Sequence, residues 1–219
     1  MYDFSIWDIA RNLLLALRWT VGLSLIAFVG GGLVGATLVT LRLTRGDGVR
    51  RAVALYVQLF QGTPLLLQLF LVYFGLAMFG VETTPMVAAA LCLTLYASAY
   101  LAEIWRGSVE SIDQGQWEAG DSLALSFAQQ MRHVIVPQAI RVAIAPTVGF
   151  MVQIIKATAL TSVIGFVELT RAGQIITNAT FQPFAIYGAV ALMYFALCFP
   201  LSLFSRRLEQ TLRRRGSSQ

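Results

Sequence analysis

Two features of this 219-residue chain put polar chemistry where the surrounding sequence supplies none. Lys156 is the one charged residue in the stretch 142–167. A lysine at the centre of an apolar helix costs ~2.5–3.5 kcal/mol on insertion scales, so such a residue meets a charge partner, snorkels or faces a cavity. Helical spacing sets Gln153, Lys156 and Leu160 on one face, with Thr158 and Thr161 close by. That predicts a polar stripe turned to the interior of a helix bundle. The second feature is Gln61-Gly62-Thr63-Pro64, in the middle of the uncharged run 52–81. Glycine weakens a helix, proline removes a backbone donor, and Thr63 as N-cap with Pro64 at the first helical position predicts a stop and a restart. An ordinary proline kink fits this pattern. So does a broken helix whose free N–H groups and positive dipole end face a wet cavity and can hold a carboxylate.

No other constellation carries catalytic chemistry. There is no Gly-rich nucleotide loop, no Ser/His/Asp set and no ladder of acids along the apolar stretches, so an energy source is expected in another chain and no enzymatic activity in this one. His133 has no ligand-like neighbours, so no metal site is expected. Cys92 and Cys198 sit within apolar segments and read as small buried hydrophobes. Glu103, Glu110, Asp113, Glu118 and Asp121 cluster in or beside one polar segment, where they are expected to cap helices or meet a partner.

The elements that must position these residues are membrane-spanning helices. Apolar residues make up 57% of the chain and charged residues 12%, about half the charged share of a soluble domain. Mean hydropathy is +0.70. Stretches 19–41, 52–81, 83–102 and 172–205 carry no charge, and 142–167 carries only Lys156. A bilayer core ~30 Å thick is crossed by about 20 helical residues, so each suffices. The predicted spans are 13–41, 52–80, 84–105, 140–167 and 184–206, preceded by a surface-lying lead-in, Met1 to Thr20, with Arg11 and Arg18 at its polar edge. The lead-in starts with Asp3 and Asp8 rather than with the basic region of a cleaved signal.

Five spans put the termini on opposite sides, and the basic residues sort accordingly. Twelve of the sixteen fall on one side: Arg42, Arg45, Arg50 and Arg51, then Arg106, Arg132 and Arg141, then Arg206, Arg207, Arg213, Arg214 and Arg215. The positive-inside bias therefore predicts a cytoplasmic C-terminus and an outside N-terminus. The net charge of +5 lies in these flanks, which speaks against nucleic acid as a partner. The whole chain reads as one transmembrane domain, 1–219, whose long polar segment, 106–141, hangs in the cytoplasm. A helical run of that length is not needed for spanning, and docking of a soluble partner gives it a role.

That segment carries a resemblance. GQWEAGDSLALSFAQQMRHVIVPQ at 115–138 resembles the EAA loop of polar amino acid permeases of bacterial ABC importers, the histidine and glutamine uptake type. Glu118 and Ala119 match, as does the spacing to Pro137, with Val134 and Val136 as conservative replacements. YASAYLAEIWRGSVESI at 96–112 resembles the segment entering that loop. LFQGTPLLLQLFLVYFG at 59–75 resembles the family's second-helix Arg-Gly-Thr-Pro-Leu motif, IIKATAL at 154–160 its Lys-Asp-Thr-Ser-Leu motif, and Glu168-Leu169-Thr170 the acidic motif that follows. The likeness runs from about residue 13 to 215.

The resemblance implies an all-α integral membrane protein, five transmembrane helices of the type I ABC importer (MetI-like) permease fold, in a bacterial inner membrane. It implies two short coupling helices that fit a groove on an ABC ATPase dimer, a second permease that is a copy or a relative, and a periplasmic amino-acid-binding protein. ATP-Mg would sit on the ATPase, and this chain would need no cofactor. Residues implied in coupling are Gln116, Glu118, Ala119, Gly120, Ala124 and Pro137; those implied in the substrate pathway are Gln61, Thr63, Pro64, Gln153, Lys156 and Thr158. Gly120 stands where the family has Ala and Ala124 where it has the turn Gly, so the bend between coupling helices is expected to begin earlier, at the residue that tolerates it. Gln61 replaces an arginine and Ala157 an aspartate. The latter implies either a subunit with fewer substrate contacts or a less cationic substrate. A self-sufficient secondary transporter or channel is the rival reading. It calls for ionisable groups along the spans and an inverted repeat, which one lysine does not supply. A membrane scaffold without a pathway is the third.

Overall fold

In the computed structural model, residues 5–216 are described, with side chains to Leu212. Eight helices make up the described fold. They are α1 (Ile6–Thr44), α2 (Asp47–Gly62), α3 (Leu65–Met78), α4 (Pro85–Glu110), α5 (Gln114–Ser122), α6 (Phe127–Ile164), α7 (Leu169–Thr180) and α8 (Pro183–Gly216). α1, α4, α6 and α8 are each long and apolar enough to cross a membrane, and α2 with α3 forms a fifth, bent span.

The lead-in does not lie apart from the first span. α1 runs unbroken for 39 residues from an N-cap at Ser5, and its buried positions Leu13, Ala16, Thr20, Leu23, Ala27, Gly31 and Gly35 follow one helical face. The N-terminal part of that face packs on Ile176 of α7 and on Ile186 and Val190 of α8. Helical periodicity that continues through Leu13 and Ala16 leaves no reason for the chain to peel away. Residues 1–4 lie outside the described ones.

α1 and α4 form the most extensive helix pair in the bundle, and glycines let their backbones approach. A Cβ on Gly31 would fall 2.5 Å from the Ala97 Cβ and 3.1 Å from the Ala97 carbonyl carbon. One on Gly35 would fall 3.0 Å from the Ser98 carbonyl oxygen. Small residues are how membrane helices bring backbones together without an aqueous driving force. Gly31→Val is expected to cost about 2 kcal/mol or more through forced separation of the pair, read as a lower unfolding midpoint in detergent; an unchanged midpoint would contradict this packing.

At the far end of the same pair, Glu103 binds Arg42 of α1 at 3.3 Å and also pairs with Arg106, which reaches on to Glu110. α6 then stacks Phe150 on Tyr100 of α4, with ring centroids 5.2 Å apart. α8 closes the other side of α6, where the Ser205 hydroxyl donates to the Ala145 carbonyl at 2.8 Å.

Candidate functional site

The break between α2 and α3 is sharp, with the two axes bent by 103°. Thr63 is extended (φ −116°, ψ 144°), as the residue before a proline must be. It does not cap the new helix. Its hydroxyl donates backward to the Leu59 carbonyl at 2.7 Å, and Pro64 takes the N-cap position. The polar groups freed by the break are met by Gln68, a buried residue not singled out in the sequence. Its Nε2 lies 2.9 Å from the Phe60 carbonyl, 3.0 Å from the Thr63 carbonyl and 2.8 Å from the Thr63 hydroxyl. Its Oε1 is buried and accepts nothing from the described residues. A glutamine four residues past a Thr-Pro, inside an uncharged span, is the signal that could have found it.

α3 packs against the last turn of α6, where the helix tightens to 3₁₀ geometry over Thr158–Ile164. That turn ends at Gly165, whose φ of 88° requires glycine; the Phe166 amide then closes back on the Thr161 carbonyl. The expected single polar stripe is therefore divided. Gln153 and Lys156 lie on the exposed side of α6, while Thr158 and Thr161 are fully buried with hydroxyls that donate to the Ile155 and Thr158 carbonyls. Gln61, Thr63 and Pro64 are exposed. Lys156 opens into a groove of about 480 Å³ between α6 and α8, with Tyr194, Cys198 and Phe199 along its wall and Arg206 at its end. It forms no ion pair with any described residue.

Glu168 is not on the helix of Lys156, because Gly165 intervenes. It caps α7 instead and is completely buried. Oε2 accepts from the Thr170 amide and the Tyr194 hydroxyl, both at 2.8 Å, and Oε1 from the Arg171 amide at 2.8 Å. The next amide, that of Leu169, donates to the Thr20 hydroxyl of α1 at 3.1 Å. The Glu168 carboxylate thus ties α7 to α8, and the adjacent Leu169 amide ties α7 to α1. Lys156 is exposed, and the acid is sealed.

The polar segment divides into α5 and the start of α6. Asp113 caps α5 through the Gly115 amide at 2.8 Å, and Gln116, Glu118 and Ala119 are exposed. The bend does not begin at Gly120. Ala124 takes the left-handed conformation itself (φ 52°), with the Leu125 amide on the Gly120 carbonyl and the Ala124 amide on the Asp121 carbonyl. This is the pairing that usually carries glycine at the turn. Ala124→Gly is therefore expected to stabilise the turn by up to about 1 kcal/mol, detected as slower amide exchange over 120–127; faster exchange would speak against it.

Gly120 has a different task. A Cβ there would fall 2.3 Å from the Gln130 Nε2, which donates to the Trp117 carbonyl and binds α5 to α6. The second coupling helix is not separate. Residues 127–130 pass through a π turn, Met131–Ile135, straight into the span. The Val136 amide reaches five residues back to Met131, which widens the helix just ahead of the exposed Pro137. Coupling segment and Lys156 are thereby joined by one continuous helix.

The family described as binding-protein-dependent transport system inner membrane component matches residues 27–214. The chain belongs to that family. It is an ABC importer permease subunit and a multi-pass membrane protein. The glutamine transport system permease protein GlnP of Escherichia coli (strain K12) is 36% identical over 216 residues, spanning 97% of this permease and 98% of that one. The L-cystine transport system permease protein TcyB of Bacillus subtilis (strain 168) is 33% identical, over 96% and 89% of the two chains. A crystal structure of an amino acid ABC transporter with histidines superposes with a TM-score of 0.88 at 34% identity, over 94% of this permease and 99% of that chain. The inward-facing MetNI methionine ABC transporter gives 0.78 at 18% identity, over 96% and 99%, which bears on the fold alone. The MetI-like arrangement of five spans read from the sequence is the fold observed.

Proposed function

We propose that this permease forms half of the pathway by which an ATP-driven importer carries a polar amino acid across the bacterial inner membrane. A separate ABC ATPase dimer grips the surface of α5, a second permease covers the Lys156 face, and a periplasmic receptor delivers the substrate on the side of the α7–α8 connection. The observation that carries this reading is the position of Lys156, exposed on the lone chain at the depth of the spans with no described partner. A charge cannot face hydrocarbon there, so this face belongs to protein and a wet pathway.

The geometry supplies a route for force. Closure of the ATPases displaces α5, the Gln130 clasp passes the displacement to α6, and α6 carries it to the 3₁₀ turn against which the broken helix leans. An amino acid meets Lys156 with its carboxylate, in a groove walled by Tyr194, Cys198 and Phe199, whose apolar walls strengthen Coulomb attraction above its value in bulk water.

Lys156→Ala tests this reading in proteoliposomes that hold both permeases, the ATPase and the receptor. Uptake of labelled amino acid is expected to fall about tenfold, the loss of one charge-assisted contact, with assembly unchanged. Undiminished uptake would make Lys156 a bystander.

A further inference from the structure

On the opposite side of α6 from Lys156 lies a larger groove, of about 900 Å³, between the second half of α1, the end of α4 and the first half of α6. Val39 and Leu43 of α1 and Ile140, Ile144 and Val148 of α6 form its walls, and Phe28 closes its deep end. The polar side chains in the wall are already engaged. The Thr40 and Thr44 hydroxyls each donate at 2.7 Å to the carbonyl four residues back, and Thr147 accepts from the Trp105 indole at 3.0 Å. The groove thus presents carbon along its length. Its mouth, on the side of α5, holds one charge. Arg132, on the π turn that leads into α6, is exposed and pairs with no described carboxylate.

We infer that this groove is a phospholipid site, with an acyl chain lying between α1 and α6 and an anionic headgroup at Arg132. The two flanks of α6 have opposite requirements. Ala145, Gly149, Val152 and Lys156 line the flank packed on α8, and the lysine there cannot be left to lipid. The groove flank has no unmet polar group, so hydrocarbon fills it without penalty. An apolar trough ending in an unpaired arginine at headgroup level is complementary to a negatively charged lipid, and basic pockets between spans on the cytoplasmic side are lipid sites by that logic. The occupant would touch Phe127, Ala128 and Met131 as well, so lipid and coupling segment share a surface.

The test uses the purified full-length chain in nanodiscs of phosphatidylcholine with a minor fraction of phosphatidylglycerol, and counts by native mass spectrometry the lipids retained after detergent release. The wild type is expected to retain phosphatidylglycerol in preference to phosphatidylcholine. Arg132→Gln should reduce that preference about fivefold, while Ala36→Phe, which fills the groove, should reduce retention of both lipids with an unchanged helical melt. Equal retention of the two lipids by the wild type, or retention by Ala36→Phe that matches the wild type, would overturn the inference. Disulfide crosslinking of Ile144→Cys to a second copy of the chain would do the same, by assigning the groove to protein.

Discussion

Replacement of Glu168 by alanine is expected to lower the stability of the detergent-solubilised permease by about 3 kcal/mol or more. The substitution removes the acceptor of the Thr170 and Arg171 amides and leaves the Tyr194 hydroxyl only the Thr170 Oγ1 at 3.1 Å, and each orphaned donor costs about 1–3 kcal/mol. The loss extends beyond one cap, because Glu168 holds α7 against α8 while the next amide holds it against α1. Burial also keeps the Glu168 carboxyl above its ordinary value of 4.5, the three donors opposing only part of that effect. A raised folded-state value means that the native chain retains its proton where the unfolded chain has released it. The associated stability is complete below the ordinary carboxylate range and is lost as pH climbs through the folded value. Thermal melts should therefore shift downward as pH rises above about 4.5, and Glu168→Gln, which has no proton to lose, should remove that dependence. A melt of Glu168→Ala that overlays the wild type would contradict the role assigned to this carboxylate.

Gly120→Val is expected to uncouple the transporter while leaving the spans intact. Gln130 is 4% exposed and its Cγ as well as its amide occupies the space a Cβ would need, at 2.8 Å and 2.3 Å. Strain of about 1–3 kcal/mol is relieved most readily by lifting α5, which is short and exposed, away from α6. Coupled uptake should then fall about tenfold or more, with basal ATP hydrolysis by the partner less affected. Gln130→Ala, which removes the clasp itself, should lose coupling to a similar extent, and adding Gly120→Val to it should cost little more, a non-additivity expected only of residues in contact. Full coupling in Gly120→Val would mean that the Gln130 clasp transmits nothing.

Much of this architecture is legible in the residues. Charge-free stretches long enough to cross a bilayer give the spans, and Thr63-Pro64 gives the break, since both follow from local backbone chemistry. What the sequence hides is long-range. Gln130 meets Trp117 across thirteen residues and Tyr194 meets Glu168 across twenty-six, and no local pattern announces either contact. Local rules also mislead where a second rule competes. Thr63 has the chemistry of an N-cap, yet the new helix starts one residue later with Pro64 at the cap, and the Thr63 hydroxyl turns back to the Leu59 carbonyl, which leaves the freed groups to Gln68. Ala124 accepts a left-handed angle that glycine would take more easily, while Gly120, the residue a propensity rule picks for the bend, makes room for Gln130 instead. The lysine stripe fails as a single face because Thr158, two residues past Lys156, lies about 200° around the helix and is buried where Lys156 is exposed.

The most direct test of the central claim is amino acid uptake by proteoliposomes containing the permeases, with and without the ATPase. Uptake is expected only when ATP and ATPase are both present, and is abolished when the exposed surface around Glu118 of α5 and the adjoining Leu123 is altered. Uptake by the permease alone, driven by an ion gradient and indifferent to α5, would contradict it.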